Sequence, residues 1–245
     1  LSIKSAFRFS RWSDTLGCTG LAKQGTQAVK EAVQDQAAPP RTKSREARRV
    51  QLIDATIRTL ATRGYARTTL TEVARTAGLS HGLVNFHFDT KEKLLAETLA
   101  HLADEYQRNW MQALEAAGPD PARRLNALIE ADFRPDICTP DRLSAWCSFW
   151  GEAQCRPLYQ ERCGANDALY NGTMEGICAD LIATGGYAGD PVRLARIIRA
   201  TIEGVGLDLM TMTSPYEAEE GLATARACAA LCFPRHFGPW GLLAV

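Results

Sequence analysis

Residues 69–88 read TLTEVARTAGLSHGLVNFHF, a pattern typical of two short helices joined by a tight turn. Thr69 and Glu72 have the spacing of a capping box, so a first helix is expected to begin directly after Thr69. Gly78 stands where a left-handed turn residue is needed, and Ser80 is a good N-cap for the second helix. The stretch therefore predicts a helix-turn-helix, whose second helix can enter the major groove of DNA.

A wider pattern surrounds these two helices. A helical run ends at Gly64, and the letters FDTKEKL at 88–94 open a long helix after the pair. Over residues 45–95 the chain resembles the N-terminal DNA-binding domain of the TetR family of repressors. The family usually has Tyr where Asn85 stands, and an Asn side chain can also hydrogen-bond a phosphate or a base edge.

The resemblance implies which side chains contact DNA. Residues of the second helix are expected to face the major groove or its edges. Residues at helix starts are expected to hold phosphates, because free N–H groups and the helix dipole favour anions there. For the arginines at the start of the first helix, a solvated charged face is an equally good interpretation. The ten candidates are Arg45, Arg48, Thr69, Ser80, His81, Gly82, Asn85, Phe86, His87 and Lys91.

Charge is unevenly distributed along a chain whose net charge is zero. Residues 1–90 hold 14 Lys and Arg against 7 Asp and Glu, whereas the remaining residues hold 14 against 21. A basic front half is what DNA binding at one end of the molecule requires.

The cysteines and histidines are too dispersed for a metal site. Eight Cys contain no C-x-x-C spacing and the four His do not cluster, so no metal, no cofactor and no disulfide framework is expected. Cys228 and Cys232 share a helix face, which leaves a redox role open. There is no Gly-rich phosphate loop and no G-x-S-x-G, so an enzyme is the weaker alternative.

Periodicity after residue 94 is helical, and the fold class is expected to be all-α. An N-terminal three-helix helix-turn-helix domain at 45–93 precedes a helical ligand-binding and dimerisation domain at 94–233. A flexible extension is expected at 1–44 and a loose tail at 234–245. No apolar run approaches the roughly 20 residues that span a bilayer, and an apolar signal core is lacking, so a cytoplasmic protein is expected.

The stretch WCSFWGE at 146–152 is the most unusual in the second half. Two Trp one helical turn apart can form the aromatic walls of a cation site, because aromatic faces attract quaternary ammonium groups. Asp132 and Glu203 could balance the charge of such a ligand. A core with large aromatic side chains is the alternative. The ligand-binding candidates are Tyr106, Trp110, Phe133, Trp146, Phe149, Trp150, Glu152 and Tyr170.

A second resemblance concerns this stretch. The letters LNALIEADF at 125–133 and CTPDRLSAWCSFWGEA at 138–153 are similar to the regulatory domain of the choline-responsive Bet repressors, a group within the TetR family. That similarity implies a repressor of genes for glycine betaine synthesis, which binds double-stranded operator DNA and responds to choline or betaine aldehyde. It also implies a homodimer formed through the last two helices, where small residues such as Gly204 and Ala227 allow close approach.

Two further interpretations stay open at this point. The chain could be a TetR-type repressor that responds to a different small molecule, as in drug efflux or lipid metabolism. It could also be an architectural DNA-binding protein without a ligand, although the long second domain argues against that. If a ligand controls DNA binding, the long helix after Thr90 is the expected lever, because it connects the two domains.

Overall fold

The computed structural model describes residues 44–152, 156–212 and 217–243, so nearly all of the predicted extension at 1–44 lies outside the described residues. Within them the chain forms nine α-helices and one short β-hairpin. The helices are α1 (Arg45–Arg67), α2 (Leu70–Ala77), α3 (His81–Phe88), α4 (Lys91–Ala117), α5 (Pro121–Asp132), α6 (Pro140–Gly151), α7 (Arg156–Gly185), α8 (Pro191–Thr211) and α9 (Ala218–Cys232). The strands are β1 (Phe237–Gly238) and β2 (Gly241–Leu242).

The helix-turn-helix prediction is confirmed by the caps themselves. The Thr69 hydroxyl accepts from the backbone N–H of Glu72 at 3.2 Å, and the Ser80 hydroxyl accepts from that of Leu83 at 3.3 Å. Gly78 has a φ of 67°, in the left-handed region that a side chain disfavours. Local interactions therefore set both ends of α2 and the start of α3.

A first core joins α1, α2, α3 and the first half of α4. Leu52, Leu60 and Val84 are almost fully buried in it, and so is Phe88. Two residues of α6, Ala145 and Phe149, belong to the same cluster. Helix α6, which falls in the second predicted domain, therefore contributes directly to the core of the predicted helix-turn-helix domain.

A second core fills the space between α4, α5, α7, α8 and α9. Leu125 and Leu128 of α5, Ile177 of α7 and Ile198 of α8 are buried there. The long helix α4 runs through both cores, because its first half packs in the first core and Trp110 packs in the second. No helix among the described residues combines the length and apolar character of a membrane span.

The segment after α9 differs from the loose, strand-free tail expected from the sequence. β1 and β2 pair antiparallel, with Phe237 opposite Leu242. Phe237 is buried in the second core, and the backbone N–H of Arg235 donates to the Tyr187 hydroxyl at 2.8 Å. That hydroxyl lies 2.8 Å from Nδ1 of His236. Aromatic burial and these polar contacts hold the segment against α9 and the end of α7.

Candidate nucleic-acid interface and effector cavity

Helix α3 presents four predicted DNA-contact residues on one exposed face. His81, Gly82, Asn85 and Phe86 are all exposed and recur at one helical turn, whereas Val84 is buried on the opposite side. Phe86 is 67% exposed, and Nδ2 of Asn85 lies 3.4 Å from Nδ1 of His81. The face thus combines hydrogen-bonding groups with one apolar ring, the two kinds of group that read base edges.

His87 lies behind this face. It is buried, and its Nδ1 has no hydrogen-bond partner among the described residues. Burial first, and then the charges of Arg45, Arg49 and Arg48, lower the pKa of His87 below its usual value. The buried ring lies against the rings of Phe86 and Phe88, so its placement differs from the base-facing role expected from the sequence.

The basic residues of α1 lie beside α3. The Arg45 guanidinium is 5.7 Å from the ring centroid of Phe86, and Arg48 donates to Gln51 at 2.9 Å. Arg49 lies 5.1 Å from the ring of Phe88 and forms an ion pair with Glu97. A positive edge therefore borders the exposed face of α3.

Lys91 is already engaged within the chain. Its Nζ donates to the backbone carbonyls of Tyr65 and Ala66, at 3.1 and 3.2 Å, and lies 5.3 Å from the Tyr65 ring. An ammonium group has three donors, so one remains for a phosphate. Lys91 thus fastens the start of α4 to the end of α1, a role the sequence did not reveal.

A cavity of about 140 Å³ lies among α4, α5, α6, α7 and α8. Five of the predicted ligand-binding residues line it: Tyr106, Phe133, Trp146, Trp150 and Tyr170. The other lining residues are Asp132, Ile137, Cys138, Leu143, Cys147, Tyr159, Asp167, Arg199, Ile202, Glu203, Gly206 and Leu207.

The cavity has two aromatic walls. The rings of Trp146 and Trp150 are stacked, with centroids 6.0 Å apart and planes 27° apart, and Tyr159 meets Trp146 edge-on at 6.4 Å. The rings of Tyr106 and Tyr170, which also line the cavity, lie 5.7 Å apart. Several electron-rich faces therefore surround one small space.

Asp132 is the central polar group of this space. Its Oδ2 accepts from the Tyr170 hydroxyl at 3.1 Å. Burial raises its pKa to about 6, although hydrogen bonds from Tyr106 and Tyr170 act in the opposite direction, and the like charge of Glu203 raises it further. Burial and the nearby Asp132 charge raise the pKa of both tyrosines, so they remain neutral donors.

The remaining charges lie on α7 and α8. Tyr159 donates to Oδ2 of Asp167 at 3.2 Å, and Nε of Arg199 donates to Glu203 at 2.8 Å. Three carboxylates thus line the cavity against one guanidinium, and Arg199 is ion-paired with Glu203. The electrostatic balance of the cavity favours a cationic ligand.

Both parts of the chain match known protein families. Residues 52–98 match the model described as bacterial regulatory proteins, tetR family, and residues 121–234 match the C-terminal part of the BetI-type transcriptional repressor. The HTH-type transcriptional regulator BetI of Paraburkholderia xenovorans (strain LB400) is 32% identical over 187 residues, which cover 76% of this chain and 93% of that protein. The chain belongs to the TetR family, in its BetI-type group.

Further similarities agree with this family. BetI of Rhizobium meliloti (strain 1021) is 30% identical over 191 residues, covering 75% of this chain and 88% of that protein. A transcriptional regulator of Pseudomonas aeruginosa PAO1 has a TM-score of 0.66 at 26% identity, covering 80% of this chain and 96% of that one. A regulator of Saccharomonospora viridis, solved with choline, has a TM-score of 0.62 at 21% identity, covering 74% and 95%. At that identity the last similarity concerns the fold alone.

The family establishes what kind of protein this is. The chain is a DNA-binding transcriptional repressor, and the enzyme alternative is discarded because its relatives are regulators. TetR-family regulators bind operator DNA and small-molecule effectors, typically as dimers.

Three predicted ligand residues of this BetI-type repressor do not line the cavity. Trp110 is buried behind Tyr170, with ring centroids 5.5 Å apart. Phe149 points to the other side of α6 and meets Tyr65 edge-on at 6.1 Å. Glu152 is the C-cap residue of α6. Residues one turn apart share a face whereas adjacent residues diverge by about 100°, so Trp146 and Trp150 line the cavity and Phe149 does not.

Sequence reasoning missed several lining residues that helical spacing could have indicated. Asp167 lies three residues before Tyr170 on α7, and Arg199 lies four residues before Glu203 on α8. Asp167 therefore shares a helix face with Tyr170, and Arg199 shares one with Glu203, both of which the sequence analysis had already named. Cys147 lies three residues before Trp150 on α6 and could have been indicated in the same way, whereas Cys138 lies outside the helices and carried no such signal.

Two faces of helix α6 of the repressor contact different parts of the protein. Leu143, Trp146 and Trp150 line the cavity, whereas Ala145 and Phe149 pack in the first core. Helix α6 also packs along α1. A change in the cavity can therefore reach the DNA-binding part across a single helix.

Proposed function

We propose that this repressor binds a small quaternary ammonium compound, choline or betaine aldehyde, in the cavity, and thereby controls genes that convert choline to glycine betaine. The observation that carries the proposal is the stacked pair Trp146 and Trp150 on the same cavity as the half-buried Asp132, whose carboxyl group lines that cavity. Aromatic faces attract a quaternary ammonium group, and a carboxylate neutralises its charge.

The size of the cavity supports a small effector. An apolar cavity of about 150 Å³ can bind benzene, and choline has only one more non-hydrogen atom. Drug-sized ligands usually occupy pockets of roughly 300–1,000 Å³, whereas this cavity measures about 140 Å³. The competing hypothesis, a repressor that responds to a large hydrophobic compound, is therefore less well supported.

Similar proteins add support of a different kind. The curated relatives named BetI match most of the chain, and the Saccharomonospora viridis regulator with the same fold was solved with choline. Those names and that ligand belong to the other proteins. Together with the chemistry of the cavity, they make choline the first effector to test.

The DNA contacts we propose follow from exposure. His81, Asn85 and Phe86 would face base edges, with Gly82 allowing close approach. Arg45 and Arg48 would hold phosphates at the positive edge. The hydroxyls of Thr69 and Ser80 accept backbone N–H groups as caps, and each retains its own proton for a phosphate oxygen.

A homodimer would explain the apolar surface of the last two helices. Ile197 and Leu207 of α8 are exposed, and Leu231 of α9 is 86% exposed. Gly204 has open space where a side chain would stand, whereas a side chain at Gly206 would contact Leu143 within the same chain. We infer that a second copy covers this surface, because two half-sites raise both affinity and specificity.

Coupling between ligand and DNA is proposed to pass through α6. A ligand between the aromatic walls displaces Trp146 and Trp150, and the rigid helix transmits that displacement to Phe149. Phe149 contacts Tyr65, whose carbonyl and ring hold Lys91 at the start of α4. The effector needs only a differential affinity for two arrangements, typically worth about 1–3 kcal/mol.

The testing experiment is fluorescence anisotropy on DNA from upstream of the gene, titrated at fixed salt. The titrants are choline, betaine aldehyde and the uncharged carbon isostere of choline, in which a tert-butyl group replaces the trimethylammonium group. We expect specific DNA binding that the two cations change and the isostere does not. An equal effect of the isostere would contradict a cation site. Specific binding unaffected by all three would discard the effector and keep the repressor.

A further inference from the structure

Asn85 and His81 form a polar pair on the exposed face of α3. Nδ2 of Asn85 lies 3.4 Å from Nδ1 of His81, and the two residues stand four positions apart, about one helical turn. An amide nitrogen only donates hydrogen bonds, so Nδ1 of His81 is the acceptor. Oδ1 of Asn85 and the second N–H of its amide group have no other partner among the described residues.

These remaining atoms of Asn85 match one base. Adenine offers a donor at N6 and an acceptor at N7 in the major groove, so it can donate to Oδ1 and accept the N–H of Asn85 at the same time. Guanine offers two acceptors there, N7 and O6, and Oδ1 would then face an acceptor. Because His81 holds the nitrogen side of the amide group, the order of donor and acceptor along its free edge is fixed.

A phosphate contact is the alternative for Asn85. Phosphate oxygens only accept hydrogen bonds, so a phosphate would use the second N–H of Asn85 and leave Oδ1 beside a negative charge. Adenine satisfies both atoms. The pairing with His81 therefore favours a base contact over a phosphate contact.

Phe86 is the apolar part of the same face. It is 67% exposed, with the Arg45 guanidinium 5.7 Å from its ring centroid and the ring of His87 edge-on at 5.3 Å. These two neighbours, one from α1 and one from α3, limit where the ring can point. A phenyl ring has no hydrogen-bonding group, and the apolar group that base pairs present in the major groove is the methyl group of thymine.

We propose that α3 recognises A·T base pairs in each operator half-site: Asn85, oriented by His81, binds N6 and N7 of an adenine, and Phe86 contacts the methyl group of a thymine in the same or a neighbouring base pair. Adjacent Cα atoms are about 3.8 Å apart and successive base pairs about 3.4 Å apart, so adjacent residues of α3 reach the same or neighbouring pairs. The assignment rests on the proposed DNA contacts of α3 and extends them to the identity of the bases.

Selection from a random library of DNA duplexes finds the operator wherever it lies in the genome. We expect the full-length repressor to enrich a two-fold symmetric site that requires an A·T pair in each half-site. Half-sites in which every required pair is G·C would overturn the assignment and leave sequence-specific binding intact. If no sequence is enriched, the proposed DNA contacts and the assignment fail together.

Base analogues in the selected site then test the two residues separately by fluorescence anisotropy. 7-Deazaadenine carries C–H in place of N7, and it should weaken binding roughly 2- to 10-fold at one adenine of each half-site. Uracil lacks the methyl group of thymine, and it should weaken binding roughly 2- to 5-fold at one thymine.

Two variants serve as matched controls for each other. Asn85→Ala should abolish the 7-deazaadenine effect and keep the uracil effect, whereas Phe86→Ala should do the reverse. An analogue effect that persists in the variant meant to abolish it would overturn the role of that residue. Variants that weaken binding to every sequence and keep both analogue effects would place the two side chains on phosphates.

His81 is a positioning residue in this scheme, and its role has a readout of its own. His81→Leu removes the acceptor for Asn85, so the 7-deazaadenine effect should shrink. His81→Gln keeps an acceptor oxygen one helical turn from Asn85 and should keep the effect. A full effect in His81→Leu, or an equal loss in both variants, would contradict the orienting role. None of these readouts involves an effector, so their failure leaves the choline proposal untouched.

Discussion

Replacing Asp132 with Asn removes a charge from the cavity wall and changes its shape little. The Asn oxygen can still accept the hydrogen bond that Tyr170 gives to Asp132 at 3.1 Å. In the wild-type protein the pKa of Asp132 is about 6, so near neutral pH an ionised carboxylate occupies a site that favours the neutral form. We therefore expect the variant to gain stability and lose ligand binding together.

The stability change has a definite sign. The pKa of Asp132 rises from 3.8 in the unfolded chain to about 6 in the folded protein. The contribution of the Asp132 carboxyl group to the free energy of unfolding is thus fully present below pH 3.8, and it is lost as the pH rises through about 6. At about 1.4 kcal/mol for each pKa unit, the loss above pH 6 is at most about 3 kcal/mol, because the carboxyl group faces the cavity and water there can screen it. Asn does not titrate and avoids this loss.

Differential scanning fluorimetry can measure this effect. In a chain of this size, 1 kcal/mol shifts Tm by roughly 2–4 °C, so Asp132→Asn should raise the Tm of the ligand-free protein by several degrees at about pH 7.5. The difference should shrink at about pH 5, where the wild-type carboxyl group is mostly protonated.

Ligand binding should change in the opposite direction. A carboxylate about 5 Å from a cation contributes about 3 kcal/mol at an effective dielectric constant of about 20. Asp132→Asn should therefore weaken choline binding by up to about 100-fold in calorimetry. Asp136→Asn is the matched control, because Asp136 is exposed, pairs with Arg134 and does not line the cavity. A variant that is less stable at neutral pH and binds choline normally would refute the reasoning.

Three further predictions concern the walls and the coupling. Trp150→Ala should weaken choline binding roughly 3- to 30-fold and leave DNA affinity unchanged in anisotropy, because one aromatic wall is lost; normal choline affinity would place Trp150 outside the ligand site. Lys91→Ala should lower Tm and weaken binding to all DNA sequences, since two carbonyls lose their donor. Its salt slope should fall by about one, and an unchanged slope would leave Lys91 a structural role only. Phe149→Leu should leave the affinity for choline alone and the affinity for DNA alone unchanged, and it should reduce the change in DNA affinity that choline causes. Phe237→Leu, a buried change remote from α6, is its control, and equal loss of coupling in both would contradict the α6 route.

Interactions between near neighbours in the chain explain which features could be predicted. The caps at Thr69 and Ser80 and the turn at Gly78 depend on residues within one helical turn, so the letters alone indicate them. The shared face of Trp146 and Trp150 follows from helical periodicity in the same way. The predicted helix-turn-helix and the aromatic wall of the cavity are therefore both found in the structure.

Features that depend on distant parts of the chain were not predictable in this way. Lys91 meets the carbonyls of Tyr65 and Ala66, which lie 26 and 25 residues away. Periodicity separates Phe149 from the two tryptophans, but it cannot tell which side of α6 faces a cavity. The ordered segment after α9 depends on Tyr187, which lies 48 residues before the Arg235 N–H that it binds.

The structure also changes which helix best explains control of DNA binding. The sequence favoured α4 as the lever because α4 connects the two parts of the chain. Tyr106 of α4 does line the cavity, but the distance from Tyr106 to the start of α4 is 15 residues, or about 22 Å of helix. Helix α6 separates the cavity from the first core by only its own diameter, because Trp146 and Trp150 line the cavity and Phe149 lies in the first core. Packed cores shift between discrete arrangements and do not deform continuously. We therefore propose that the shorter route through α6, and not the length of α4, carries the displacement caused by a ligand to the DNA-binding domain.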